Sequence, residues 1–321
     1  MTYVIASVKG NKLCAHPDQS LSKNQAYNPA YKYSVELGGD CHLEDFQEGP
    51  LIGRGHYGIV KRAKHKITGT MVALKYLEGI NPAHFSNHRN EECNQHAVES
   101  PLIVKHYCTI IHDDQVIFVM DYLDGMSLRD YFKEGGKLTE AQLQYYTAQL
   151  LVSIELLHQR RIIFGSLTSS NVMLLNDGQI KLIDFGATMK LQLGEQQDPK
   201  PQFVSYKARP HRWKNFAHDY YSLGMLVFEL AVANKTGLWK DPKELKKMKC
   251  TKVLDKNICD FISRMYTDDF EGIWGPQMIT RDKLKSHPWL VDINFPWLYK
   301  YARGDVDPKA EPESAKPSTR K

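Results

Sequence analysis

Four groups of residues in this 321-residue chain have the types and spacing to handle a phosphate ester. Gly53, Gly55 and Gly58 stand in the run G-R-G-H-Y-G-I-V. Glycines so spaced let backbone N–H groups approach phosphate oxygens with no Cβ in the way. Lys75 closes the apolar run Val72-Ala73-Leu74-Lys75, seventeen residues after Gly58. A lysine in an apolar strand is costly unless its ammonium reaches a partner or water. Asn171 lies thirteen residues before Asp184, which opens Asp184-Phe185-Gly186. An amide oxygen and a carboxylate on adjacent strands suit a Mg²⁺ whose other ligands are mostly substrate phosphate oxygens. Taken singly each group has a plainer explanation: a hairpin, a strand-end lysine reaching solvent, ordinary turn residues. A glycine run of this type also marks dinucleotide-binding folds, but those need a helix directly afterwards. Here Ile59-Val60-Lys61-Arg62-Ala63 continues as strand.

The elements that must position these residues change character along the chain. From Phe46 to Asp121 the signals are short strands: Ile59-Val60, Met71 to Leu77 and Val116 to Asp121, punctuated by Gly or Asp. From Thr139 the period becomes helical. Leu143, Tyr146, Leu150, Ile154 and Leu157 recur every three or four residues, behind a capping box of Thr139 and Gln142. Val172 to Leu175 and Ile180 to Ile183 read as a hairpin around Asn176-Asp177-Gly178. Helical patterns return at Asp219 to Val232 and Lys256 to Met265. A strand-rich smaller half thus precedes a helix-rich larger one.

Composition excludes several classes. Net charge is +5, from 42 Lys and Arg against 37 Asp and Glu, too mild to call for a nucleic-acid or membrane-surface partner. Apolar residues make up 42% and charged residues 25%, the profile of a globular chain rather than a disordered or fibrous one. No apolar run approaches the roughly 18 residues of a membrane span, and the first dozen residues lack the pattern of a secretory signal. Cysteines 14, 41, 93, 108, 250 and 259 form no C-x-x-C pair and read as six free thiols in a reducing compartment. His84 and His88 have helical ligand spacing, but Pro82 and Ser86-Asn87 mark a surface loop. The lysines between 243 and 249 read as a solvated helix face.

Together G-x-G-x-x-G-x-V at 53–60, V-A-L-K at 72–75 and D-F-G at 184–186 resemble the eukaryotic protein kinase domain over roughly residues 46–290. Asn90-Glu91, Pro101 to Lys105, Phe118 to Tyr122 and Asp219 to Gly224 are most similar to its cyclic-nucleotide-dependent, AGC-type branch. The resemblance implies an α+β, bilobal fold: a small antiparallel β-sheet N-lobe with one helix, and a larger, mainly helical C-lobe. Its implied boundaries are an N-terminal arm at 1–43, an N-lobe at about 44–121, a C-lobe at about 122–303 and a disordered tail at 304–321. It also implies site roles. Lys75 contacts the α- and β-phosphates and pairs with Glu91. The glycine loop covers the triphosphate, and Asn171 and Asp184 hold Mg²⁺. Val60, Ala73 and Met173 sandwich the adenine. Met120 is the gatekeeper, and backbone groups from Asp121 to Leu123 bond the purine edge.

The catalytic loop departs from this pattern. Where the family reads H/Y-R-D-L-K-x-x-N, the chain reads Phe164-Gly165-Ser166-Leu167-Thr168-Ser169-Ser170-Asn171. Ser166 replaces the aspartate that deprotonates the attacking hydroxyl, a loss that typically costs ~10²–10⁴ in rate. Thr168 replaces the lysine that neutralises the transferring phosphoryl group, removing on the order of 3 kcal/mol of transition-state stabilisation. Gly165 replaces the arginine that clamps an activation-loop phosphothreonine, and between Gly186 and Ala208 only Thr188, Ser205 and Tyr206 carry hydroxyls. Ala208-Arg209-Pro210 lacks the family's glutamate, and Tyr266 to Glu271 lacks the arginine that pairs with it. Ser127 and Ser170 stand where the branch carries acids that read basic peptides. The resemblance therefore implies a pseudokinase that binds ATP or ADP with Mg²⁺ and works through protein partners, a related active kinase or its regulators among them. The alternatives are a slow or unconventional serine/threonine kinase and a nucleotide-independent scaffold. The expected location is cytoplasmic, with the nucleus as the alternative.

Overall fold

The structure, a computed structural model, describes residues 41–55, 58–78, 94–95, 97–113, 115–191, 216–240, 242–245, 248–265 and 283–307. Most of the expected arm and tail, His84, His88, Glu91, Lys246, Lys247, Ala208-Arg209-Pro210 and Tyr266 to Glu271 lie outside these residues. The chain divides into two compact units. One takes the described residues up to Ala97 together with Val104–Leu123. The other takes Val98–Ile103 and the described residues from Asp124 on.

The first unit is an antiparallel five-stranded sheet in the order β1-β2-β3-β5-β4. Its strands are β1 (Phe46–Gly55), β2 (Gly58–His65), β3 (Met71–Leu77), β4 (His106–His112) and β5 (Gln115–Asp121). Side chains alternate across a pleated sheet, so β3 serves both faces. Val72, Leu74 and Tyr76 join Phe46, Ala63, Ile110, Ile117 and Val119 in one core cluster, while Leu77 packs with Val116 and Phe118 in another. Cys41 completes the first cluster.

The second unit is mainly helical, as expected. Among the described residues its six α-helices are α1 (Leu128–Lys133), α2 (Glu140–Gln159), α3 (Ala217–Thr236), α4 (Pro242–Leu245), α5 (Lys256–Ser263) and α6 (Phe295–Ala302). The predicted capping box starts α2: Thr139 Oγ1 accepts from the Gln142 N–H at 3.1 Å, and Gln142 Oε1 accepts from the Thr139 N–H at 2.8 Å. Its burial exceeds the single stripe the periodicity predicts, because every residue from Tyr145 to Glu155 is buried. Four of the polar side chains among them are hydrogen-bonded. Thr147 and Ser153 donate to carbonyls one turn back, Gln149 bonds Gln179, and Glu155 accepts from Lys285 and Tyr299.

The expected hairpin is β8 (Val172–Leu175) and β9 (Ile180–Leu182), with Gly178 at φ 83° in the turn and β6 (Gly125–Ser127) on its other edge. Ile103 bridges Leu182 and the Leu102 carbonyl accepts the Leu182 N–H at 2.8 Å, which ties the 98–103 segment to this sheet. A second pair, β7 (Ile162–Ile163) with β10 (Met189–Lys190), carried too little sequence signal to predict.

The reading of free thiols needs correction. Cys41 is disulfide-bonded to Cys108 and Cys250 to Cys259, and no cysteine is free among the described residues. The partners lie 67 and 9 residues apart, spacings that no local motif signals. No helix among the described residues is long and apolar enough to cross a membrane.

The longer loop predicts the larger stabilisation, because closing it removes more freedom from the unfolded chain. A chain-entropy estimate gives about 4 kcal/mol for the Cys41–Cys108 link and about 3 kcal/mol for Cys250–Cys259. Urea unfolding of the Cys41→Ala, Cys108→Ala double variant is expected to show a loss in this range, larger than that of Cys250→Ala with Cys259→Ala. An unfolding midpoint insensitive to a thiol reductant would contradict both pairings.

A pH dependence follows from Asp260 at the end of α5. Hydrogen bonds from His287 at 2.8 Å and Arg264 at 2.9 Å hold its carboxyl below the usual value. A carboxyl with a depressed folded-state pKa stabilises fully above its unfolded value, about 3.9, and loses that contribution as pH falls through the folded one. Asp260→Asn is therefore expected to lower the melting temperature near pH 6 and to converge with wild type in stronger acid. A difference that persists undiminished in strong acid would show that the residue acts by packing instead.

Candidate functional site

In the first unit, strand register assembles the predicted nucleotide residues. Residues opposite each other on antiparallel strands share a face. Gly53 faces Val60, Val60 faces Lys75, and Ala73 faces Met120. Ala73 and Lys75 alternate with Val72 and Leu74, so Gly53, Val60, Ala73, Lys75 and Met120 lie on one side of the sheet and the larger core cluster on the other. Lys75 is buried. Its expected partner Glu91 lies outside the described residues.

The three glycines are not equivalent. Gly55 and Gly58 close the hairpin between β1 and β2, and β2 runs on as strand, which excludes the dinucleotide-fold alternative. Gly58 has φ 137°, and a Cβ there would stand 1.8 Å from the Tyr76 carbonyl oxygen, so packing against β3 alone demands glycine. A Cβ at Gly53 would come no nearer than 3.7 Å to anything, and one at Gly55 would meet nothing within 4 Å. Among the described residues nothing obstructs a side chain at those two positions.

At the end of β5, the Asp121 N–H donates to the Lys105 carbonyl at 2.9 Å and its carboxylate accepts from the Tyr107 hydroxyl at 2.8 Å. Leu123 uses neither its N–H nor its C=O in a hydrogen bond among the described residues. Of the expected purine-edge groups, those of Tyr122 and Leu123 enter no hydrogen bond among the described residues.

In the second unit a buried carboxylate shapes the catalytic-loop positions. Asp219, near the start of α3, has no exposure. Its oxygens accept the N–H groups of Phe164 and Gly165, both at 2.8 Å, and a bond from His158 Nε2 at 2.7 Å. From the same turn of α3, His218 Nε2 lies 3.1 Å from the Gly165 carbonyl. A carbonyl only accepts, so His218 carries its proton on Nε2. Gly165 is thereby held at φ 76°, and a Cβ there would lie 2.6 Å from the Ala187 carbonyl oxygen.

Ser166 comes next. Its hydroxyl makes a single hydrogen bond among the described residues, a long one of 3.4 Å to the Asp184 carbonyl oxygen. Among the described residues no carboxylate is bonded to it. Asn171 Nδ2 donates to the Ser166 carbonyl at 2.8 Å, which orients the amide and leaves Oδ1 without a hydrogen bond. The Asn171 carbonyl accepts the Ile183 N–H at 2.9 Å, extending the β8–β9 ladder. That extension brings Asn171 beside the strand end from which Asp184 emerges. Asp184 itself adopts φ 64°, the left-handed region that short polar side chains tolerate best. Phe185, the next residue, packs edge-on against Phe164 at 5.3 Å. Met173 sits on β8 opposite Ser127, and Thr168 is exposed. Thr188, the nearest hydroxyl after D-F-G, is buried and donates to the Phe185 carbonyl at 2.8 Å. Local spacing carries no signal for His158 and His218, because their partners Asp219 and Gly165 lie 61 and 53 residues away.

The model of the protein kinase domain matches residues 46–289, and the chain belongs to that family. Among its relatives, the cAMP-dependent protein kinase catalytic subunit 3 of Drosophila melanogaster is 25% identical over 273 residues, covering 80% of this chain and 46% of that protein. The protein kinase C delta type of Rattus norvegicus is 25% identical over 303 residues, covering 91% and 44%. The human cAMP-dependent protein kinase catalytic subunit PRKX is 26% identical over 271 residues, covering 79% and 74%. The chain thus spans a little under half the length of the first two relatives. AGC-type catalytic domains are what it is most evidently similar to.

The positive φ at Gly165 makes that departure from the family more than a lost side chain. Gly165→Ala is expected to cost roughly 1–3 kcal/mol, from strain and from the approach to the Ala187 carbonyl. Chemical denaturation measures it. A neutral substitution would show that the loop has room to relax.

Proposed function

We propose that the protein is a pseudokinase: a kinase-family domain that holds ATP or ADP with Mg²⁺ and acts by binding protein partners, not by phosphoryl transfer. The observation that carries this reading is the state of Ser166. Its hydroxyl is no base near neutral pH, and among the described residues no carboxylate is bonded to it to take the missing aspartate's part. Thr168, exposed and uncharged, supplies nothing for the phosphoryl charge.

The nucleotide half rests on what the fold keeps. Asn171 has an amide oxygen oriented but unspent, which fits an oxygen ligand for a hard cation. Among the described residues nothing obstructs a side chain at Gly53 or Gly55, and Leu123 has unspent backbone groups. In this proposal Asn171 and Asp184 hold the metal, Lys75 contacts the phosphates, and Val60, Ala73 and Met173 enclose the base beside Met120. When bound, Mg²⁺ would neutralise phosphate charge. A slow kinase is the second reading, favoured by the survival of Lys75, Asn171 and Asp184, because positioning and electrostatics supply most of phosphoryl-transfer catalysis. For location, the two disulfides favour an oxidising compartment over the cytoplasm or nucleus.

Thermal-shift titration with ATP at millimolar concentration, with and without Mg²⁺, tests the nucleotide half. A Mg²⁺-dependent rise in melting temperature is expected, reduced in Asn171→Ala and Asp184→Ala, since a ligand at ten times its Kd stabilises by about 1.4 kcal/mol. No shift would leave only the nucleotide-independent scaffold. In a parallel phosphotransfer assay, turnover is expected at least ~10²-fold below ordinary kinase rates. Ordinary turnover that disappears in both Lys75→Ala and Asp184→Ala would make the protein an enzyme.

A further inference from the structure

A second cluster of charged residues lies wholly within the helical unit, and the nucleotide reading does not use it. Arg129 and Lys133 are one turn apart on α1. The Arg129 guanidinium carbon lies 5.0 Å and the Lys133 ammonium 5.1 Å from the centre of the Trp239 ring. The ring is fixed in place, because Trp239 Nε1 donates to Glu229 Oε1 at 2.8 Å and that oxygen also accepts from Ser169 Oγ at 2.6 Å. Two cations held against one ring repel each other, and the ring offsets this only through its π-face.

Neither cation has a carboxylate partner. No described residue forms an ion pair with Arg129 or Lys133. Asp130, which lies between them, has its carboxylate engaged by the Ser127 hydroxyl at 2.6 Å. Arg129 has one hydrogen bond, a long 3.3 Å contact to the neutral Ser170 hydroxyl, and its buried Nε has no partner at all. A guanidinium with five donors and one weak acceptor is ready for an incoming anion, which it can grip through two parallel N–H bonds.

We propose that Arg129, Lys133 and Trp239 form a docking site for an acidic peptide segment of a partner protein. The patch is two charges wide, and Asp130 on the helix and Glu134 at its C-cap are exposed. Those carboxylates would repel an extended polyphosphate backbone, whereas one or two glutamate or aspartate side chains match the two cations. The proposal stands whether or not nucleotide binds.

Fluorescence anisotropy on the full chain without nucleotide tests it, using a labelled peptide with three consecutive glutamates and its three-glutamine counterpart. The glutamate peptide is expected to bind and the glutamine peptide not, with affinity falling as salt rises. Lys133→Gln and Arg129→Gln are each expected to weaken binding about fivefold. Lys256→Gln, exposed on α5, should change nothing. Arg129 packs on Trp239 and its replacement can disturb the fold, so Lys133→Gln, at an exposed position, decides the matter. Equal binding of the two peptides, full affinity in Lys133→Gln, or tighter binding of a single-stranded oligonucleotide of equal charge would each overturn the assignment.

Discussion

A buried carboxylate holds the catalytic-loop segment in place. Asp219 has no exposure, and an unpaired charge so placed would be prohibitively costly. It persists because two backbone N–H groups, of Phe164 and Gly165, and the His158 ring all donate to it. The order then propagates. His218 holds the far side of Gly165, the next residue is Ser166, and the Ser166 carbonyl orients the Asn171 amide. One buried charge at the start of α3 thus sets the geometry of a loop more than fifty residues earlier in the chain.

That arrangement separates scaffold from chemistry. Every bond in the sequence from Asp219 to Asn171 uses backbone groups of residues 164–166, so the side chain at 166 is not needed to hold the loop. Aspartate and serine would sit on the same support. The hydroxyl contributes one long bond to the Asp184 carbonyl and little else. The loop's support is therefore independent of the side chain at 166. Gly165 shows the opposite case: its backbone is held where a Cβ collides with Ala187, so the residue type at 165 is tied to the local geometry.

Local signals made the central elements legible. The capping box at Thr139, the turn at Gly178 and the alternation in β3 each draw on neighbouring residues, and each appears where the sequence places it. What escaped depends on distant partners. Cys41 and Cys108 are 67 residues apart, and neither is flanked by a pattern that marks a bonded cysteine. β7 and β10 are two residues each, too short for periodicity to register. In α2 a stripe was read where the burial goes all the way round, because Thr147, Gln149 and Ser153 look like a solvent face until their carbonyl and amide partners are known. For the site, the residue types were legible from motifs, whereas the reason that Gly58 and not Gly55 is required by the fold lay in the neighbouring strand.

The two serines at positions 127 and 170 set the charge of the surface beside the catalytic loop. The resembled branch carries acids at these positions, and a carboxylate at 170 would neutralise the adjacent guanidinium of Arg129. With serine there, Arg129 gains only a neutral acceptor at 3.3 Å, and its charge remains for something outside the chain. Ser127 has become a helix cap instead, accepting the Asp130 N–H at 3.0 Å and donating to its carboxylate, which turns the one acid between Arg129 and Lys133 toward the end of its own helix. Glu229 is buried and accepts from Trp239 and Ser169, while Glu134, next to Lys133, is exposed. Each of these changes alone is a small substitution. Together they leave Arg129 and Lys133 without a carboxylate partner on a face whose family counterpart is expected to attract arginine.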